Sequence, residues 1–234
     1  MLILALDTSS PAGSLAVLRD ETVIGAVSTC AEENYSSRMF RQLEFLLKEL
    51  SLSLDKFDLI AVAAGPGSFT GLRVGLTAAK GWAEVYKKPI AAVSGLEAVA
   101  AQARSTATIL IPVLDARRGQ VYFGFYRSSP DGRVLSRDEQ VAAPEEFLES
   151  LKNLARDCRF CVVTPAPDVI TGVLSHFKPG FAELEIVSRF LAPTIGQLGF
   201  RRVLRGVLAD SLTLDANYLR RSDAELNLKG PAGP

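Results

Sequence analysis

Leu2-Ile3-Leu4-Ala5-Leu6-Asp7 is an apolar run that ends on a carboxylate, and residues 108–115, closing on Leu114-Asp115, repeat that pattern about 108 residues later. An unbroken apolar run of this length, bounded by turn residues, predicts a strand buried on both faces. Working outward from the first copy, Ser9-Ser10-Pro11-Ala12-Gly13 reads as a turn, and the apolar runs 14–19 and 22–29 complete a three-strand meander. Residues 36–50 place Met39, Leu43, Leu46 and Leu50 on one helical stripe, with Phe40 and Leu47 beside it. A strand at 58–64, a glycine-rich turn, a helix at about 71–87, a strand at 90–93 and a helix at about 95–104 follow. From the second copy outward the order returns. Tyr122 to Tyr126 and 133–141 read as strands, and Pro144 opens a helix with Glu145 and Glu146 in its first turn. Strand 160–164, helix 167–177, strand 184–188 and helix 194–206 complete the series.

The order βββαβα thus occurs twice, with an aspartate at the end of the first strand each time. This predicts an α/β, duplicated, two-lobed architecture of the actin-like (ribonuclease-H-like) kind. The lobes are expected at 1–104 and 105–222. A tail at 223–234, ending Gly-Pro-Ala-Gly-Pro, is expected to be disordered.

Composition narrows the classes. The chain has 234 residues, 48% of them hydrophobic and 22% charged, as in ordinary globular proteins. Lys plus Arg and Asp plus Glu are 26 each, so no global field draws the chain to nucleic acid or an acidic membrane. Arg201, Arg202, Arg205, Arg220 and Arg221 make one end locally basic. The start lacks the basic and apolar regions of a signal peptide, and no run reaches membrane-spanning length, so a soluble cytoplasmic protein is expected. Three cysteines give no disulfide framework; Cys158 and Cys161 form a CxxC without a second pair at zinc spacing.

Candidate chemistry is sparse. Asp7-Thr8-Ser9 stands where such a fold places a phosphate loop, and equally where a turn needs side chains to satisfy its backbone. Asp115-Ala116-Arg117-Arg118-Gly119-Gln120 occupies the matching place in the second lobe, with two arginines where a phosphate hairpin wants small residues. The segment Gly65-Pro66-Gly67-Ser68-Phe69-Thr70-Gly71-Leu72-Arg73-Val74-Gly75 is neither a Walker loop nor GxGxxG. It is a tight strand-to-helix turn, able to cap the helix or to hold an anion near Arg73. His176 is the single histidine, so HExxH is impossible, and no Ser sits in GxSxG. An actin-fold kinase using Asp7 and Asp115, and a peptidase, are the alternatives left to weigh. The prolines at Thr164-Pro165-Ala166-Pro167 remove donors from an adenosine loop.

ILALDTSSPAGSLAVL, DLIAVAAGPGSFTGLRVGLTAAKGWA, PIAAVSGLEAVA, IPVLDARRGQVYFGFY and NYLRRSDAE together resemble the TsaB family, also called YeaZ and labelled glycoprotease-like. The resemblance spans almost the whole chain. It implies a non-catalytic subunit that pairs with a metal-containing TsaD-type paralogue and works with a TsaE-type P-loop ATPase. Together these transfer a threonylcarbamoyl group from its adenylate to the adenosine beside the anticodon of tRNA. ATP and metal then belong to the partners, and none is expected here. The resemblance also implies docking through the helices at 36–50 and 71–87, hence through Met39, Phe40, Leu43, Leu46, Leu47, Val74 and Ala78, with a homodimer when the partner is absent. Two departures stand out: Tyr35 replaces the family's common histidine, and Gln120 its common glutamate.

Overall fold

In the computed structural model, residues 1–30, 35–129, 132–155, 159–176, 182–210 and 213–220 are described. Cys158, Arg221 and the expected tail at 223–234 lie outside them. In the first half, β1 (Leu2–Asp7), β2 (Ser14–Arg19) and β3 (Thr22–Ser28) form the meander. Then come α1 (Tyr35–Glu49), β4 (Leu59–Ala63), α2 (Phe69–Tyr86), β5 (Ile90–Val93) and α3 (Gly95–Ala101). The second half runs β6 (Ile109–Arg117), β7 (Gln120–Ser129), β8 (Gly132–Ala142), α4 (Pro144–Ala155), β9 (Phe160–Thr164), α5 (Thr171–Leu174), β10 (Ala182–Ile186) and α6 (Ala192–Leu204).

The two sheets have the orders β3-β2-β1-β4-β5 and β10-β9-β6-β7-β8, so the second is the first repeated. In each, the meander is antiparallel and the later strands are parallel to the first. Side chains alternate across each strand. On β1, Leu4 and Leu6 face the layer of α1 and α2, while Ile3 and Ala5 face the layer between the sheets. Both faces are covered, which is why β1 reads as an unbroken apolar run. The outer face of the second sheet packs Phe123, Phe125 and Val162 against Phe147 and Leu151 of α4.

The closing helices are exchanged between lobes. The helix α3, from the first repeat, lies on β6, β7 and β8, and α6, from the second, lies on β1, β2, β4 and β5. Two glycines let α6 approach: a Cβ on Gly196 would overlap the Leu18 side chain, and one on Gly199 would come within 2.8 Å of the Ala61 Cβ. Residues 192–204, grouped by sequence order with the second lobe, therefore pack against the first sheet. A single core runs between the sheets through Ala5, Ala61, Leu96, Val99, Leu110, Val163 and Ile195.

Two local expectations change. The helix expected over 167–177 is a short turn at Pro167–Val169 followed by the four-residue α5, the two separated at Ile170, whose φ of −129° leaves helical geometry. The strand β6 does not stop at Asp115 but runs to Arg117 through an irregular register. Among the described residues, no helix is long and apolar enough to cross a membrane.

Candidate functional site

The first loop and the glycine motif are one packed unit. Asp7 is fully buried, and its Oδ1 accepts the Ser9 N–H at 2.9 Å and the Ser9 hydroxyl at 2.6 Å. The Thr8 hydroxyl donates to the Gly71 carbonyl at 2.6 Å, and the Ser68 N–H donates to the Ser9 carbonyl at 2.7 Å. A Cβ on Gly67 would lie 2.6 Å from the Ser9 carbonyl oxygen; one on Gly71 or Gly75 would overlap Thr8. The spacing of these glycines thus lets α2 begin directly on the first loop. Ser68 caps α2 by accepting the Gly71 N–H at 3.3 Å. Gly65 has φ 118°, and its peptide bond to Pro66 is cis.

Burial raises the Asp7 pKa, and the two Ser9 hydrogen bonds only partly oppose it. Among the described residues, the Asp7 Oδ2 has no hydrogen-bond partner. The folded state therefore binds the Asp7 proton more tightly than the unfolded chain does. The associated stability is full below the ordinary carboxylate range and is lost as pH rises through the raised value. Asp7→Asn is expected to flatten the decline of melting temperature as pH rises above the ordinary carboxylate range. Thermal unfolding of both forms over that rise checks this; equal slopes would count against it.

A cleft of about 750 Å³ lies between the lobes, lined on one side by Ser9, Pro66, Gly67, Ser68, Phe69 and Thr70. Across it are Asp115, Arg117 and Tyr122. The two strand-end aspartates are thus unequal: Asp7 is buried, whereas Asp115 is exposed and its Oδ1 accepts the Arg117 N–H at 2.6 Å. The segment 217–220 straps the cleft. The Asn217 N–H donates to the Ala64 carbonyl at 2.7 Å, and its Nδ2 to Glu139 Oε2 at 2.9 Å. Arg220 Nη1 donates to the Ala116 carbonyl at 2.8 Å. Arg73, a candidate anion ligand, instead stacks over the Phe69 ring at 3.8 Å and donates through Nε to the Tyr218 hydroxyl at 3.2 Å.

Sequence reasoning passed over Glu139, which joins the lobes. It accepts from the Ser94 hydroxyl of the first repeat and, at 2.6 Å, from the Tyr126 hydroxyl of the second. Burial, and then the Glu139 charge, hold the Tyr126 phenol far above its ordinary pKa, so it remains a donor. Nearby, Glu97 pairs with Arg202 of α6. Burial raises the Glu97 pKa against the opposing pull of that guanidinium. No periodicity marks a lone Glu on β8, so nothing in the sequence pointed to it.

The expected docking stripe divides in two. Met39, Leu43 and Leu46 are buried in the core beneath α1, so an interface role for these three side chains is corrected: the first sheet already covers them. Phe40 is 55% exposed, and Leu47, Val74 and Ala78 are half-buried at the rim of the same core. Phe40 meets Trp82 edge-on, with ring centroids 6.4 Å apart. On α2 the positions 74, 78, 81 and 85 share one outward stripe by helical spacing. Val85 on that stripe is 70% exposed, and the space beside Gly81 is open. The result is an apolar seam across α1 and α2. Trp82, Gly81 and Val85 could have been found by extending the stripe one turn.

The family model described as TsaD, tRNA N6-adenosine threonylcarbamoyltransferase, matches residues 18–171. The tRNA threonylcarbamoyladenosine biosynthesis protein TsaB of Bacillus subtilis (strain 168) is 39% identical over 160 residues, 68% of this chain and 70% of that protein. The protein of the same name from Escherichia coli (strain K12) is 34% identical over 158 residues, 66% of this chain and 68% of its own. The solved structure of YeaZ from Pseudomonas aeruginosa has a TM-score of 0.74 and 25% identity, covering 93% of this chain and 99% of that one. With the duplicated sheets and the glycine motif seated on the first loop, these likenesses agree: the chain belongs to the TsaB (YeaZ) family, and its fold is the two-lobed actin-like one.

Proposed function

We propose that this chain is a non-catalytic assembly subunit in tRNA threonylcarbamoyladenosine biosynthesis, docking a TsaD-type catalytic paralogue through the α1–α2 seam. The observation that carries the reading is the exposed apolar seam of Phe40, Val74, Ala78, Trp82 and Val85. An outward apolar stripe on two adjacent helices marks a surface that a partner covers. The same seam pairs two copies of the chain when the paralogue is absent. A TsaE-type ATPase joins the assembly, tRNA is met through the complex, and ATP and metal are used by the partner subunits. Such an assembly works in the cytoplasm.

The burial of Asp7, whose Oδ1 is taken by Ser9, and the positive-φ arginine turn after Asp115 support a role without phosphoryl transfer. The test is reconstitution of threonylcarbamoyl transfer to tRNA with the TsaD-type and TsaE-type subunits and a source of the adenylate. Product is expected only when this chain is added, and equally with Asp115→Asn. Transfer at the same rate without the chain would overturn the reading.

A further inference from the structure

The strap, taken from 214 to 220, begins on one lobe and ends on the other. Leu214 and Ala216 pack against the core beneath α1 and α2. Tyr218 lies on Phe69 with ring centroids 4.8 Å apart, and Leu219 packs against the core between the sheets. Arg220 then reaches the Ala116 carbonyl on β6. The glycine motif makes room for this passage. Gly65 holds φ 118°, a region that side-chain-bearing residues rarely adopt, and a Cβ there would stand 2.6 Å from the Asn217 carbonyl oxygen. Midway, one carboxylate gathers ties from both sheets. Glu139 lies on β8 of the second sheet, and its Oε1 accepts from Tyr126 on β7 and from Ser94, which directly follows β5 of the first sheet. Its Oε2 accepts from Asn217 of the strap. Ser94 also caps α3 by accepting the Leu96 and Glu97 N–H groups, so Glu139 fixes the point where the chain leaves the first sheet for the second. At the other end of α3, Gln102 holds Ser188 reciprocally: its Nε2 donates to the Ser188 carbonyl at 3.2 Å, and its Oε1 accepts the Ser188 N–H at 3.1 Å.

We infer that the strap is a latch set on Glu139: seated, it holds the two lobes in one relation, and released, it frees them to turn about the crossings at Ser94 and at 187–191. Rotation of one lobe against the other needs only a few residues to absorb the change, and these two crossings are where the chain passes between the lobes. Glu139 is the keystone because its two oxygens take donors from the first lobe, the second lobe and the strap. A turn of one lobe would strip the carboxylate of part of that set and leave a hydroxyl or an amide without its acceptor. Bonds to a charged acceptor are the stronger kind, and bonds sharing one acceptor fail together. The strap itself is held differently from the sheets. Asn217 is exposed, Tyr218 and Arg220 are half-buried, and their ties are single hydrogen bonds and one ring contact rather than a strand ladder. Such a segment opens well before the core does. The latch is also separate from the docking seam, which lies wholly on α1 and α2 of the first lobe, so its test needs no partner subunit.

Spin labels on the full chain report the distance between lobes, one at Lys48→Cys on α1 and one at Glu145→Cys on α4, both exposed, with the native cysteines changed to alanine. The labelled parent is expected to give one narrow distance distribution. Asn217→Ala removes the strap's tie to Glu139, and Tyr218→Ala removes its hold on Phe69 and Arg73. Each is expected to widen the distribution about twofold or to shift its mean, with the chain still folded by its melting curve. Glu139→Ala should act most strongly; the two strap variants decide the matter if it does not fold. Arg159→Ala breaks an exposed ion pair with Glu183 inside the second lobe and should leave the distribution as in the parent. Parent-like distributions in folded Asn217→Ala and Tyr218→Ala would overturn the proposal. So would a broad distribution in the parent, or equal broadening by Arg159→Ala.

Discussion

Gly71→Ala is expected to destabilise the protein by about 3 kcal/mol, while Gly81→Ala, ten residues along the same helix, is expected to stabilise it by about 0.5–1 kcal/mol. Gly71 sits against the backbone of Thr8, and a Cβ there would overlap the Thr8 carbonyl oxygen. Neither partner can retreat cheaply. Thr8 extends from β1, the central strand of its sheet, and it is 2% exposed. The start of α2 is fixed on the other side by the Ser68–Ser9 hydrogen bond and by the Gly67 approach. Relief would have to break the part-buried Thr8–Gly71 bond or shift α2, and overpacking against backbone lies at the costly end of core substitutions. Gly81 has open space where its Cβ would stand, so only the helix preference acts. Urea unfolding of both variants measures the pair. A loss below about 1 kcal/mol at Gly71 would show that the glycine motif is not the packing device inferred here.

The strands and their order were legible because both sheet faces are covered and apolar runs mark such strands directly. The duplication could be read from Leu6-Asp7 and Leu114-Asp115, yet the unequal fates of the two aspartates could not. Burial of Asp7 depends on α2 closing over the first loop, and exposure of Asp115 on the arginine turn that follows it. The exchange of α3 and α6 was equally hidden, since an apolar stripe says that a helix face is buried but not which sheet buries it. The same ambiguity misassigned Met39, Leu43 and Leu46. Spacing of three and four residues looks identical on a core face and a docking face, and only the position of the first sheet separates Met39 from its neighbour Phe40. The second-lobe helix expected at 167–177 is interrupted at Ile170, whose backbone leaves helical geometry at φ −129°.

Pairing with the TsaD-type subunit is expected to weaken by about 100-fold or more in Gly81→Arg and in Phe40→Asp, with both monomers folded. Gly81 lies on the outward stripe of α2 between Ala78 and Val85, and among the described residues nothing lies within 4 Å of a Cβ placed there. Arginine is a good helix former, so the free chain should be no less stable than wild type. Once a partner covers the seam, however, the same guanidinium would be buried against apolar surface without a counter-charge. Phe40→Asp acts from the neighbouring helix: it removes the aromatic contact with Trp82 and places a carboxylate on the seam. The measurement to make is titration of the TsaD-type subunit with wild type, Gly81→Arg and Phe40→Asp, alongside the melting temperature of each chain. Lost pairing in both variants, with Gly81→Arg melting at or above wild type, is the predicted result. Undiminished affinity in both folded variants would contradict docking through the α1–α2 seam.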